Sequence, residues 1–234
     1  AFGHDEESAS LHGAPLMAGW LKEHGITPAL VMDEGGQIMQ QILEGVKTPL
    51  AMIGIGEKGY LTAELSVEGT PGHSAQPPDH TAIGILAQAL VRIEKKRMPA
   101  NPHFMRMLIR GLGNAAPILY QVFFANLWLF KGLASMKLSR VPLTNAAIRT
   151  TTAITLVTGG IKDNLLPQSA HARVNYRILP GDSIASIMDR TRRIIHDNRV
   201  HLHALEGQAW DPPLISAPDS SVYHLLEKTI KQFF

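Results

Sequence analysis

The sequence predicts an α/β unit interrupted by a ferredoxin-like α+β unit, and three observations carry that expectation. Residues 1–56 read as strand, helix, strand, the order of an α/β layer with a largely parallel sheet. Residues 57–206 read as strand, helix, long insertion, strand, strand, helix, strand, which is the split βαβ order with an added segment. Residues 207–234 then return to the first unit and end in a helix.

The elements follow in order. "AFGHDEES" reads like the end of a buried strand and has no initiator Met, so the chain is expected to be an internal piece of a longer protein, its first unit truncated at both ends. In "LHGAPLMAGWLKEHG" the residues Leu16, Met17, Trp20 and Leu21 share one helical face. Pro15 suits the first turn and Gly25 the position after the last. "PALVMD" predicts a short buried strand ending at Asp33, and "LAMIGIGEKG" a strand running into a turn. The character changes near Glu57. "YLTAELSVEG" alternates Leu61, Ala63, Leu65 and Val67 against polar neighbours, as a strand buried on one face does. "HTAIGILAQALVRIEKK" predicts an amphipathic helix, and residues 98–147 a helical insertion rich in Met, Leu and Phe. "TTAITLVTGG" and "AHARVNYRIL" predict strands. "SIASIMDRTRRIIHD" predicts a helix capped by Asp182 or Ser183, and "VHLHAL" the last strand.

Composition limits the function. The chain has 234 residues, 45% of them hydrophobic and 18% charged, which is enough apolar material for a packed core. Its formal net charge of +2 argues against a nucleic-acid surface, which needs clustered Lys and Arg. Lys95-Lys96-Arg97 closes a helix, where cations complement the helix dipole. The absence of Cys excludes a disulfide framework and thiolate metal sites. "AAPILYQVFFANLWLF" is shorter than the roughly 20 apolar residues of a membrane span and contains Gln121 and Asn126. A buried or interfacial helix is the expectation there.

Few residues can carry chemistry. "GIGEKG" matches a dinucleotide fingerprint at Gly54, Gly56 and Gly59. A strand pattern follows it where the pyrophosphate needs a helix, so these glycines read as an interdomain turn. Asp5, Glu6 and Glu7 follow one strand end and Asp33 the next, so Glu6, Glu7 and Asp33 can share one cleft. Clustered carboxylates need a cation or a shared proton, and an acidic first turn of a helix explains the trio equally well. "GTPGHSAQPP" sets His73 on a stiff, exposed loop. His201 and His203 alternate on a strand without an acidic partner in sequence, and read as surface residues.

Taken together, "GHDEE", "VMDEGG", "GTPGHSAQPP", "KDNLLPQSAHARVNYRILPG" and "HDNRV" make the chain similar to the M20 family of zinc metallopeptidases. Within it, the chain most resembles the carboxypeptidase S and N-fatty-acyl-amino-acid synthase/hydrolase branch. The resemblance implies a catalytic α/β domain with two zinc ions and an inserted ferredoxin-like lid that makes a homodimer. It also implies Glu6 as general base and Glu7 and Asp33 as metal ligands. His73 would be the oxyanion donor, and Asn164 and Arg177 would be substrate-binding residues. The implied reaction is hydrolysis of an amide bond of a peptide or N-acyl amino acid, releasing an amino acid with a free carboxylate. The family's upstream His-x-Asp, bridging Asp and downstream His have no counterpart here. A non-catalytic dimerisation or lid module, or a fragment inactive by itself, is therefore the alternative.

Overall fold

The computed structural model describes residues 13–33, 36–40, 48–112 and 126–233. The contacts divide the chain into two compact units, Ala1–Gly35 with Ser220–Phe234, and Gly36–Asp219. The first contains helices α1 (Ala14–Glu23) and α7 (Ser221–Phe233). Pro15 sits in the first turn of α1, and Gly25 takes the left-handed φ of 66° just past its end, as the sequence predicts. "PALVMD" differs from expectation. It forms no strand; Asp33 is exposed and so is Val31, at 80%. A strand needs a ladder partner for its N–H and C=O groups, and none is found for this segment among the described residues.

The second unit contains the sheet. Strands β3 (Gly59–Glu68), β5 (Thr151–Gly159), β7 (Ser169–Ile178) and β8 (Val200–Trp210) lie in the order β5-β7-β3-β8, every neighbour antiparallel. β3 and β5 therefore run parallel with β7 between them, which is the split βαβ arrangement the sequence predicts. β8 continues past "VHLHAL" to Trp210. Two short pairs complete the strands. β1 (Gln37–Met39) pairs antiparallel with β2 (Leu50–Met52), where a largely parallel layer was the expectation. β4 (Gly72–His73) pairs with β6 (Leu165–Leu166).

Period-two alternation builds the core. Leu61, Ala63, Leu65 and Val67 on β3 and Ala172, Val174, Tyr176 and Ile178 on β7 are fully buried against helices α2 (Ala82–Lys95) and α6 (Ile184–Ile195). Thr81 caps α2, its hydroxyl accepting from the Gly84 amide. Of the two candidate caps for α6, Ser183 is the one used. It forms a capping box with Ser186. The described parts of the insertion are helical as predicted, with α3 (Pro102–Leu112), α4 (Leu127–Leu138) and α5 (Pro142–Ile148) around a small separate core of Met105, Ile109, Ala134, Leu138 and Ile148. Most of "AAPILYQVFFANLWLF" lies outside the described residues; α4 holds its last part. Among the described residues no helix is long and apolar enough to cross a membrane.

One buried polar pair gives a measurable prediction. The Thr191 hydroxyl donates to the Ile187 carbonyl at 2.8 Å, so the 3.0 Å contact with Tyr176 has Tyr176 as donor. Burial pushes the Tyr176 phenol up to about 12, which keeps it a donor at any working pH. Tyr176→Phe removes this hydrogen bond and keeps the ring. It should cost about 1 kcal/mol in denaturant unfolding without changing the m-value.

Candidate functional site

His73 and Asn164 are 91 positions apart in sequence and adjacent in space. The β4–β6 ladder sets His73 opposite Leu165, and the Ser74 amide donates to the Asn164 carbonyl at 3.1 Å. A tight turn fixes the ring. The Gln76 amide donates to the His73 carbonyl, and the Ala75 amide donates to His73 Nδ1 at 3.1 Å. A neutral imidazole that accepts at Nδ1 carries its proton on Nε2. His73 is exposed, so that Nε2–H is a donor available to an incoming oxygen. A shallow depression beside the ladder is lined by Pro71, Gly72, Ile161, Leu165, Leu166 and His171.

Arg177 stands at the other end of β7. It pairs with Tyr60 on one side and Thr151 on the other. Its guanidinium lies 4.6 Å from the centre of the Tyr60 ring, and Tyr60 stacks on Trp210 at 4.7 Å. The stack depends on a close approach. A Cβ on Gly59 would meet the Pro212 nitrogen at 2.6 Å, so only glycine lets the segment after β8 lie against the start of β3. The Gly54–Gly59 stretch leads into this strand, not into a helix, which confirms the rejection of a dinucleotide site. Lys58 adds a second cation here. Burial first, and then the charge of Arg177, hold its ammonium down to about 8; it donates to the Arg149 carbonyl at 3.0 Å. Two cations with one fork pre-stacked on an aromatic ring suit a carboxylate. Sequence reasoning missed Lys58, Tyr60 and Trp210, whose association depends on strand register.

From Ser169, at the His73 end, to Arg177 the strand rises by about 26 Å at ~3.3 Å per residue. One chain therefore separates its oxyanion candidate from its carboxylate candidate by most of the sheet's length.

His201 and His203 are exposed, as the sequence predicts, and on the open face of the sheet His203 has an acidic neighbour. Glu64 lies 3.6 Å from His203 Nε2, 3.6 Å from Arg173 Nε and 3.9 Å from His171 Nδ1. The acidic partner absent from the local sequence comes from the neighbouring strand. Glu6 and Glu7 lie outside the described residues. Among the described residues no three His, Cys, Asp or Glu side chains gather as a metal site.

Known proteins place the chain. A family model described as the peptidase dimerisation domain of M20 matches residues 55–201. The human N-fatty-acyl-amino acid synthase/hydrolase is 40% identical over 238 residues, covering 100% of this chain and 47% of that protein. The probable carboxypeptidase S-like 2 of Dictyostelium discoideum is 37% identical over 236 residues, covering 100% of this chain and 45% of that protein. The chain thus spans about half the length of these relatives. The crystal structure of human carnosine dipeptidase 1 superposes with a TM-score of 0.55 at 13% identity, over 96% of this chain and 50% of that one, a likeness of fold alone. With a dimerisation-domain match over more than half its length, the chain belongs to the M20 peptidase family.

Proposed function

We propose that the full-length protein is a zinc-dependent amidohydrolase that cleaves an amide bond and releases an amino acid with a free α-carboxylate. Its substrates would be short peptides or N-acyl amino acids, in keeping with the names of the relatives. The observation that carries the reading is the M20 dimerisation domain over residues 55–201, which contains a rigid Nε2–H donor at His73 and a pre-stacked guanidinium at Arg177.

Each residue has a defined task. Glu6 takes the proton of the attacking water and passes it to the leaving nitrogen. His73 donates from Nε2 to the oxygen that becomes negative in the transition state, with Asn164 beside it. Arg177 clamps the substrate carboxylate bidentately, and Lys58 makes that end more positive. Glu7 and Asp33 are the residues of this chain that would hold metal. Two zinc ions per complete site would supply a water acidic enough to lose its proton near neutral pH. Residues 1–56 belong to the catalytic domain, 57–206 to the lid, and 207–234 return to the catalytic domain.

A homodimer is part of the proposal. β5 is a sheet edge with exposed Leu156 and Val157, beside exposed Ile83 and Val91 on α2. Unpaired edge groups flanked by apolar side chains are suited to receive a second copy. Glu6→Gln in the full-length protein should lower kcat by at least about a hundredfold while the metal content stays unchanged. Full activity of Glu6→Gln, measured with an N-acyl amino acid and a dipeptide, would refute the assignment.

A further inference from the structure

We propose that the exposed face of α4 docks on an anionic phospholipid bilayer, the helix lying in the plane of the surface. This is independent of the hydrolytic chemistry. Ala134 and Leu138 turn inward onto Met105, Ile109 and Ile148, which accounts for one side of the helix. The other side carries Trp128, Leu129, Leu133 and Met136. All four are exposed, Trp128 at 81% and Leu129 at 61%. At about 100° per residue these four occupy one arc with Met136 near its middle and Gly132 also within it. Lys131 borders the arc on one side and Lys137 on the other, both exposed. A helix apolar on both sides is either enclosed by protein or faces lipid, and here one side is enclosed and the other open.

Charge identifies the occupant. No Asp or Glu occurs between Glu94 and Asp163, a stretch that contains the entire insertion. Every formally charged side chain in it is Lys or Arg, among them exposed Arg106 and Arg110 on α3 and Arg140 after α4. The chain as a whole carries only +2, so the acidic residues that balance it lie elsewhere. A bilayer with acidic headgroups offers continuous negative charge over an apolar interior. It matches an outward Trp and Leu face bordered by lysines. No described helix is long enough to cross, so the helix rests on the surface.

The test uses the full-length protein and sedimentation with vesicles. One set is phosphatidylcholine alone, the other contains about a quarter phosphatidylserine. We expect at least about tenfold tighter binding to the second set, weakened by salt. The double substitution Trp128→Ser with Leu133→Gln, and separately Lys131→Glu, should each weaken it at least about tenfold. Trp128→Phe should keep binding but lose most of the blue shift in tryptophan fluorescence that accompanies it. Equal binding to both vesicle sets, or variants that bind as well as the parent, overturns the proposal. So does a change of oligomeric state in the double variant with vesicle binding intact, because a second copy would then cover α4.

Discussion

Heterodimers made of one His73→Ala protomer and one Arg177→Ala protomer should recover about half of the parental kcat/KM, although each homodimer is impaired. The scissile carbonyl oxygen and the carboxylate of an amino-acid leaving group lie only about 5 Å apart, as covalent geometry dictates. His73 and Arg177 of one chain lie near opposite ends of a strand about 26 Å long. They cannot both touch one such substrate, so a site that uses both must take them from two copies. The His73→Ala homodimer would lose the proposed oxyanion donor and should fall by about a hundredfold or more. The Arg177→Ala homodimer would lose the proposed charge-assisted fork and should fall at least about tenfold, mainly through KM. In the heterodimer one site inherits both lesions and the other inherits none. Doubly tagged heterodimers assayed below KM read this directly. No recovery would mean that the two residues serve the same site in cis, or that Arg177 does not hold the carboxylate. Val157→Asp, which puts a charge on the β5 edge, should give monomers by light scattering, and those monomers should lose activity with the site residues intact.

Arg149→Ala should release the helical insertion while leaving the sheet folded. Arg149 is buried and forks into the root of the insertion. It donates to the Met98 carbonyl at 2.9 Å, to Ser135 Oγ at 3.1 Å and to Ser139 Oγ at 2.6 Å. Burial, and secondarily Arg97, push its guanidinium below the usual arginine range, which shows that this charge is held against a desolvation penalty. Removing it leaves three acceptors without their charged donor. Hydrogen bonds of this kind contribute about 1.5–3 kcal/mol each and are not additive, so a loss of roughly 3 kcal/mol is expected. The core of the insertion is separate from the sheet core, so the loss should be local. Hydrogen exchange should accelerate across residues 98–149 and stay slow in β3 and β7. Arg149→Lys should rescue only in part, because one ammonium cannot reach all three acceptors in the plane of the fork. A uniform loss of protection, or none, would contradict this account.

The sequence by itself determined the split βαβ unit, because its information is local. Leu61, Ala63, Leu65 and Val67, and the Ala172 to Ile178 series, alternate with a period of two, and that period commits a segment to one buried face. Ser183, one of two candidate caps, announced its helix in the same way, by chemistry that acts within three residues. The M20 motifs were legible too, since backbone constraints keep "GTPGHSAQPP" recognisable at any distance from its partners. "PALVMD" shows the limit of local reading. An apolar run becomes a strand only when another strand pairs with it, and no pattern within the run supplies that partner. Tertiary structure alone decided which residues meet. It joined Asn164 to the His73 loop, stacked Arg177 on Tyr60 and Tyr60 on Trp210 beside Lys58, and brought Glu64 to His203. These meetings follow from strand order and register, which are fixed by the packing of whole elements. For the same reason, the separation of His73 from Arg177, and with it the case for a shared site, could be read only from the folded sheet.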